Sequence, residues 1–449
     1  MNNRMSWLGL GTIVVVYLVI GTLYAVNTPA WPVPDEPAHY NYIRYVAQIG
    51  ALPVLQVGDY DQAYLSRLTS EKFPPGLPID SVRYESWQPP LYYVLAAPLF
   101  LLFGGALLPL RLFSLALGTG VIVFTFVAAR EISSHPRMNL LALAAAGFTA
   151  FIPQHVAMLA GVNNDSLSEL LIAIGLWLVL RELPMRRGGW ALGIVMALGV
   201  LTKSLAYVLI PVTAGMLFLC WRRGRLSSGA LTFWRLVALF GPPLLAGLVW
   251  WGRNVVVYGW PDVMATLRHN LVVADQPRTS QWLAAFGVAE VARRFVVTTF
   301  QSFWGQFGWM GVVMDQRVYA ALLVYSAALA LGAAWAAWRH YRDLVPFERD
   351  GAKILALSVF VTLALYLYYN LTFVQHQGRY LFPALVPISL AAVVGLWQWS
   401  AWIIRALRLK TPRHQAAAEA VVMLAPLGLM ALLDVFALYR FIIPSLAHA

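Results

Sequence analysis

Long apolar runs separated by short polar segments make up most of this chain, with neither the strict alternation of half-buried strands nor a single amphipathic stripe. Most runs approach the ~20 residues that a helix needs to cross a ~30 Å hydrocarbon core. Membrane-spanning helices are expected at 7–26, 110–130, 138–158, 164–181, 189–201, 204–221, 231–251, 318–338, 352–371, 381–402 and 416–439. The run 189–201 is short, and its end at Thr202-Lys203 is read as dipping into the membrane. Residues 89–108 are apolar enough to cross, but a crossing there would invert every later loop. That segment is therefore expected to be re-entrant or interfacial, on the outer side.

The fold class is an all-α polytopic membrane protein, a bundle of eleven or twelve transmembrane helices. Residues 1–449 form one integral membrane domain. Within it lie a first extracytoplasmic loop at 27–109, a large one at 252–317 and a C-terminal accessory helix at 403–449. Apolar residues at helical spacing from Trp282 to Phe303, beside Arg293 and Arg294, predict an amphipathic helix on the bilayer surface.

Composition excludes two alternatives. Charged residues are 12% of the chain and hydrophobic residues 60%, with mean hydropathy +0.67; soluble domains carry about 25% charged residues. A membrane β-barrel would alternate apolar and polar residues along each strand. The net charge of +12 comes from short basic clusters between apolar runs, not from one continuous groove, so nucleic acid is not an expected partner. Arg4, Arg130 to Arg137, Arg181 to Arg187, Arg222 to Arg225, Arg339 to Lys353 and Arg405 to Arg413 fit the positive-inside rule. They put the N-terminus in the cytoplasm and the C-terminus outside. The first helix has no small-residue cleavage site after it and is read as a retained anchor. The one cysteine, Cys220, permits no intrachain disulfide.

With that orientation, the isolated polar residues gather on the outer face. Asp35, Glu36 and His39 follow the first helix; the carboxylates either cap a helix starting at Pro37 or form an acid/base centre. Asn163-Asn164-Asp165-Ser166 reads as a helix start, yet Asp165 shares the face of Asp35. Lys203 is a solitary cation between apolar helices, either snorkelling to the interface or binding a phosphate oxygen. In Gln375-His376-Gln377-Gly378-Arg379-Tyr380, Arg379 offers a planar fork for phosphate or carboxylate, and Gly378 permits close backbone approach. Arg253 with Asn254 is a weaker candidate of the same kind. Gln88-Pro89-Pro90 reads as structural punctuation. Neither a phosphate-binding glycine loop nor an HExxH or GxSxG motif is present.

The acidic pair Pro34-Asp35-Glu36-Pro37, then Gln88-Pro89-Pro90-Leu91-Tyr92-Tyr93, an Asn-Asp turn and Leu201-Thr202-Lys203 resemble the GT-C superfamily of membrane glycosyltransferases. That superfamily includes protein O-mannosyltransferases and lipid A aminoarabinose transferases. The closing Gln377-Gly378-Arg379-Tyr380-Leu381-Phe382-Pro383 looks more like a bacterial branch described mainly as predicted membrane proteins. The resemblance spans about residues 5–400. It implies a multi-pass protein of the bacterial cytoplasmic membrane that moves a sugar from a polyprenyl-phosphate-linked donor to an envelope glycan, lipid or protein, with inversion, on the extracytoplasmic face. It further implies Asp35 as catalytic base and Glu36 as its support or an acceptor ligand. Lys203, with Arg379, would sit beside the lipid phosphate. His39, Asn164, Asp165, Arg253, Gln377 and Tyr380 complete the expected substrate-binding set. No obligatory cofactor is expected, although Asp35, Glu36, His39 and Asp165 are ligands of a kind suited to Mg or Mn. The competing readings are a transporter or flippase and a polymerase of lipid-linked glycans. A transporter would normally show repeated halves and polar residues near the bilayer midplane.

Overall fold

The computed structural model describes residues 3–133, 137–184, 188–226 and 229–447. Parts of the basic loops, at 134–136 and 185–187, lie outside the described residues. The chain is almost wholly helical; among the described residues the only ladder is a two-residue hairpin pairing Gln306–Phe307 with Val312–Val313. Helices are what an apolar chain in lipid must form, because each backbone N–H and C=O finds its partner within the same segment.

Among the described residues, eight helices are long and apolar enough to cross a membrane, or nine if the bent pair Met138–Ala150 and Pro153–Leu159 counts as one span. Eleven crossings were expected from the apolar runs, and the difference lies at three of them. The run 138–158 breaks at Phe151-Ile152 ahead of Pro153, and its two pieces meet at 66°. Proline lacks the N–H that would continue a helix and suits the first turn of a new one. The run 164–181 becomes Asp165–Glu182, which carries Asp165, Glu169, Arg181 and Glu182. Glu169 and Glu182 are buried against protein and not exposed to lipid. The run 189–201 becomes Trp190–Val200, 11 residues and about 16 Å at 1.5 Å per residue. Residues 89–108 hold the helix Leu91–Leu102, 12 residues and likewise short of a full crossing.

Glycines set the closest contacts between helices. A Cβ on Gly332 would strike the backbone of Gly395, and one on Gly395 would strike Leu329, so Gln316–His340 and Leu385–Ala406 pack backbone to backbone. Small residues at such crossings raise dispersion contact where lipid gives no hydrophobic drive. The main core joins the spanning helices. A second core of Tyr42, Ile43, Tyr92, Tyr93, Phe100 and Leu167 packs Glu36–Ile49 onto Leu91–Leu102. A third, around Leu68, Phe73, Val82, Tyr84, Val273 and Phe373, gives the long loops at this end a core of their own. The candidate site lies between these two smaller cores. The helix Thr279–Trp304 is kinked at Gly287, which adopts φ 77°.

Candidate active site

The local fold puts Asp35 in an unusual conformation. It stands at the cap of the helix Glu36–Ile49 in the left-handed region, at φ 68°. Residues bearing a Cβ are uncommon there, and the strain persists only where surrounding contacts hold it. The sequence suggested Glu36 as the cap and Pro37 as the first helical residue; both shift by one, with Asp35 at the cap and Pro37 second. The Asp35 carboxylate caps no helical N–H. It accepts a hydrogen bond of 2.6 Å from Arg379 Nη2 and one of 2.7 Å from the Tyr84 hydroxyl. Burial raises the Asp35 carboxyl, but the Arg379 charge and the Tyr84 hydrogen bond outweigh it and bring it down to about 2.

Arg379 is fixed from its own segment. Gln377 Oε1 accepts from Arg379 Nε at 2.7 Å, and the guanidinium lies 5.4 Å from the Tyr380 ring centre. Gly378 makes this possible. A Cβ there would collide with the backbone of Thr299 and Phe303, and its N–H donates to Ser302 Oγ at 2.7 Å.

A second ion pair joins the other two motifs. Lys203 Nζ donates to Asp165 Oδ1 at 2.6 Å and to Asn164 Oδ1 at 3.0 Å, so it does not snorkel alone. Asn163 and Ser166 act locally: the Ser166 N–H donates to Asn163 Oδ1 and the Ser166 hydroxyl to the Asn163 carbonyl. His39 lies between the two ion pairs. Burial, then the Lys203 charge, depress its ring to about 3, against the opposing pull of Asp35 and Asp165. It is therefore neutral at working pH, with Nδ1 2.9 Å from the Tyr93 hydroxyl.

Asp35, His39, Asn164, Asp165, Lys203, Gln377, Arg379 and Tyr380 thus gather at one end of the bundle. Two other candidates stand apart. The Glu36 carboxylate is fully enclosed and held by Arg111 through both oxygens, at 2.8 and 2.7 Å, with further hydrogen bonds from the N–H groups of Trp31 and Val162. All its acceptor capacity is used by protein. Arg253 donates to the Pro53 carbonyl at 2.6 Å and lies against the Trp250 and Tyr258 rings, anchoring a loop.

Glu85 was not singled out by the sequence reading and belongs here. Burial, then the Asp35 charge, push it up to about 7, against Lys203 and a hydrogen bond with Gln88. Its Oε2 is buried with no protein hydrogen-bond partner. Gln88 also faces Asn164, with 3.4 Å between Asn164 Nδ2 and Gln88 Oε1. Gln88-Pro89-Pro90, read as structural punctuation and as part of the resemblance but not as a site, was the signal that pointed to this stretch. An open groove of about 310 Å³ runs beside the Asp35–Arg379 pair, lined among others by Thr28, Pro34, Met158 and Phe307. Met158 Sδ is 3.9 Å from Arg379 Nη1.

Among the described residues, no group of three or more His, Cys, Asp or Glu side chains is placed to hold a metal ion. Asp35 and Asp165 each face a cation, and Glu36 faces Arg111.

Comparison with known proteins agrees with this architecture. The crystal structure of ArnT from Cupriavidus metallidurans bound to undecaprenyl phosphate superimposes with a TM-score of 0.51 and 16% identity, over 99% of this chain and 74% of that one. The apo structure of the same protein gives the same values. In sequence, the undecaprenyl phosphate-alpha-4-amino-4-deoxy-L-arabinose arabinosyl transferase 1 of Pseudomonas fluorescens (strain Pf0-1) is 32% identical over 149 residues. That match covers 31% of this chain and 24% of the length of that relative. The fold is that of the GT-C membrane glycosyltransferases. The family model described as Predicted membrane protein (DUF2142) matches residues 81–388, and the chain belongs to that family.

Proposed function

We propose that this protein transfers a sugar from a polyprenyl-phosphate-linked donor to a hydroxyl of an envelope glycan, lipid or protein, at the extracytoplasmic face of the bacterial cytoplasmic membrane. The observation that carries this reading is the meeting of two cations, Lys203 and Arg379, with Asp35, Asp165 and the Glu85 carboxyl, whose Oε2 has no protein partner, at one end of the bundle. The fold adds support, because a protein sharing it binds undecaprenyl phosphate. The outer face is supported by charge. Arg222, Arg223 and Lys353 stand at the far ends of helices whose opposite ends reach the site, as the positive-inside rule expects of a cytoplasmic surface.

The chemistry follows from the pairing. Breaking the bond between the anomeric carbon and the phosphate builds negative charge on the phosphate oxygens. Lys203 and Arg379, fixed in a low-dielectric site, stabilise that charge, each by roughly 3–4 kcal/mol as preorganised donors do. Asp35 at about 2 is a weak base while Arg379 holds it. A donor phosphate that draws the guanidinium away removes the main cause of the depression, so Asp35 becomes basic only once the donor is bound. The acceptor oxygen then attacks the anomeric carbon, its proton passes to Asp35, and polyprenyl phosphate leaves with the bonding electrons. Glu36 orders the loop from within and takes no part in proton transfer.

Reconstituted protein tests this directly. Lys203→Ala and Arg379→Ala are each expected to weaken polyprenyl-phosphate binding and to lower transfer by about a hundredfold or more. Undiminished phosphate affinity in both variants would remove the donor assignment.

A further inference from the structure

At the end of the bundle away from the candidate site, the helices Leu209–Arg222 and Pro346–Thr372 enclose an open cavity of about 430 Å³. Arg222, Arg223, Lys353, Asp350 and Leu219 line it. We propose that this cavity binds the phosphate headgroup of an anionic membrane phospholipid, separately from the donor site.

Three observations carry the proposal. First, the cavity is overcharged, with three cations against one carboxylate along its wall. Asp350 is buried and spends both oxygens on Arg223, at 2.9 Å each; Lys353 Nζ stands 4.0 Å from it. Arg225, 3.9 Å from the same carboxylate, adds a fourth cation and donates to the Leu183 carbonyl. Arg222 makes no ion pair among the described residues, and its guanidinium lies 6.0 Å from the Phe218 ring. An excess of fixed positive charge in a half-enclosed cavity calls for an anion.

Second, the ion pair is a built feature. A single carboxylate at 1% exposure, held by a guanidinium fork, fixes Arg223 in the wall before any ligand arrives and leaves Arg222 and the half-exposed Lys353 free to meet an anion. Third, the neighbouring surface suits acyl chains. Phe218 and Trp221 are 52% and 65% exposed on the same helix, beside the charged rim. Aromatic residues next to basic ones mark the level of lipid headgroups. Basic pockets between helices at that level take phosphorylated headgroups, whose negative charge the surplus cations match. Pro346–Thr372 is 27 residues, about 40 Å, long, so this cavity and the candidate site lie on opposite surfaces of the bilayer.

The test uses the full chain in phosphatidylcholine nanodiscs, titrated with phosphatidylglycerol or cardiolipin, with bound lipid read by native mass spectrometry. The Arg222→Ala, Lys353→Ala double variant leaves the Arg223–Asp350 pair intact. It should retain about twenty-five-fold less anionic lipid, from two roughly fivefold contributions, with polyprenyl-phosphate binding unchanged. Equal retention by parent and variant would overturn the proposal. So would displacement of the lipid by inorganic phosphate alone, which would mark a soluble-anion site. A fall in polyprenyl-phosphate binding in the variant would also overturn it, by merging the two sites.

Discussion

Asp35 and Glu36 are neighbours in sequence, each paired with an arginine, and their environments are opposite. The Glu36–Arg111 pair is sealed, with side chains 0% and 3% exposed, and both carboxylate oxygens and all three guanidinium nitrogens are committed to protein. The Asp35–Arg379 pair is partly open, with Asp35 22% exposed and strained at φ 68°. A closed pair lends shape, since removing one partner strands a buried charge. An open pair can exchange partners. On the proposed reaction, one peptide bond separates scaffold from chemistry.

Five substitutions would break or sharpen that contrast. Glu36→Gln or Arg111→Leu leaves a buried charge without its counterpart, so a loss of about 3–5 kcal/mol is expected. Thermal unfolding in detergent should show a collapse in Tm or in yield, and a parent-like melt would demote the latch. Asp35→Asn should melt near the parent temperature while transfer falls by about a hundredfold or more; a large drop in Tm would instead make this pair structural.

Glu85→Gln probes the carboxyl whose Oε2 has no protein partner. A carboxyl raised to about 7 holds its proton more tightly when folded. Its contribution to stability is therefore full below the unfolded value near 4.5 and lost as pH rises through about 7. Melting curves between those limits should fall with pH in the parent and flatten in Glu85→Gln. Arg253→Ala, which releases the Pro53 contact, two longer hydrogen bonds to Asn254 and Tyr258 and ring packing, should cost about 1 kcal/mol and leave transfer near parental. A loss of transfer as deep as that of Asp35→Asn would return Arg253 to the site.

Much of this arrangement was legible in the sequence, for one physical reason. In a chain 60% hydrophobic, an isolated Asp, Lys or Arg is expensive to desolvate and has to find a partner. Asp35, Asp165, Lys203 and Arg379 stood out on that ground. The partners themselves were not legible, because Asp35 and Arg379 are 344 residues apart and only the folded bundle joins them. Arg111 passed unremarked at the mouth of an apolar run, so the enclosure of Glu36 went unseen. The runs 164–181 and 189–201 are not among the eight long apolar helices because the first carries Asp165, Glu169, Arg181 and Glu182 and the second is helical over only 11 residues, both tolerated where neighbouring helices shield them. Glu85 lies in a polar stretch where one more carboxylate draws no notice; its burial comes from tertiary packing.

The ion pairs Asp35–Arg379 and Asp165–Lys203 make the site its own counter-ion. A small free anion gains little by entering, because it must first evict a carboxylate already in contact. A phosphate borne on a long hydrocarbon tail brings hydrophobic affinity that makes the eviction favourable. On the proposed reaction, the resting protein would discriminate against soluble phosphate by internal competition, without a dedicated gate.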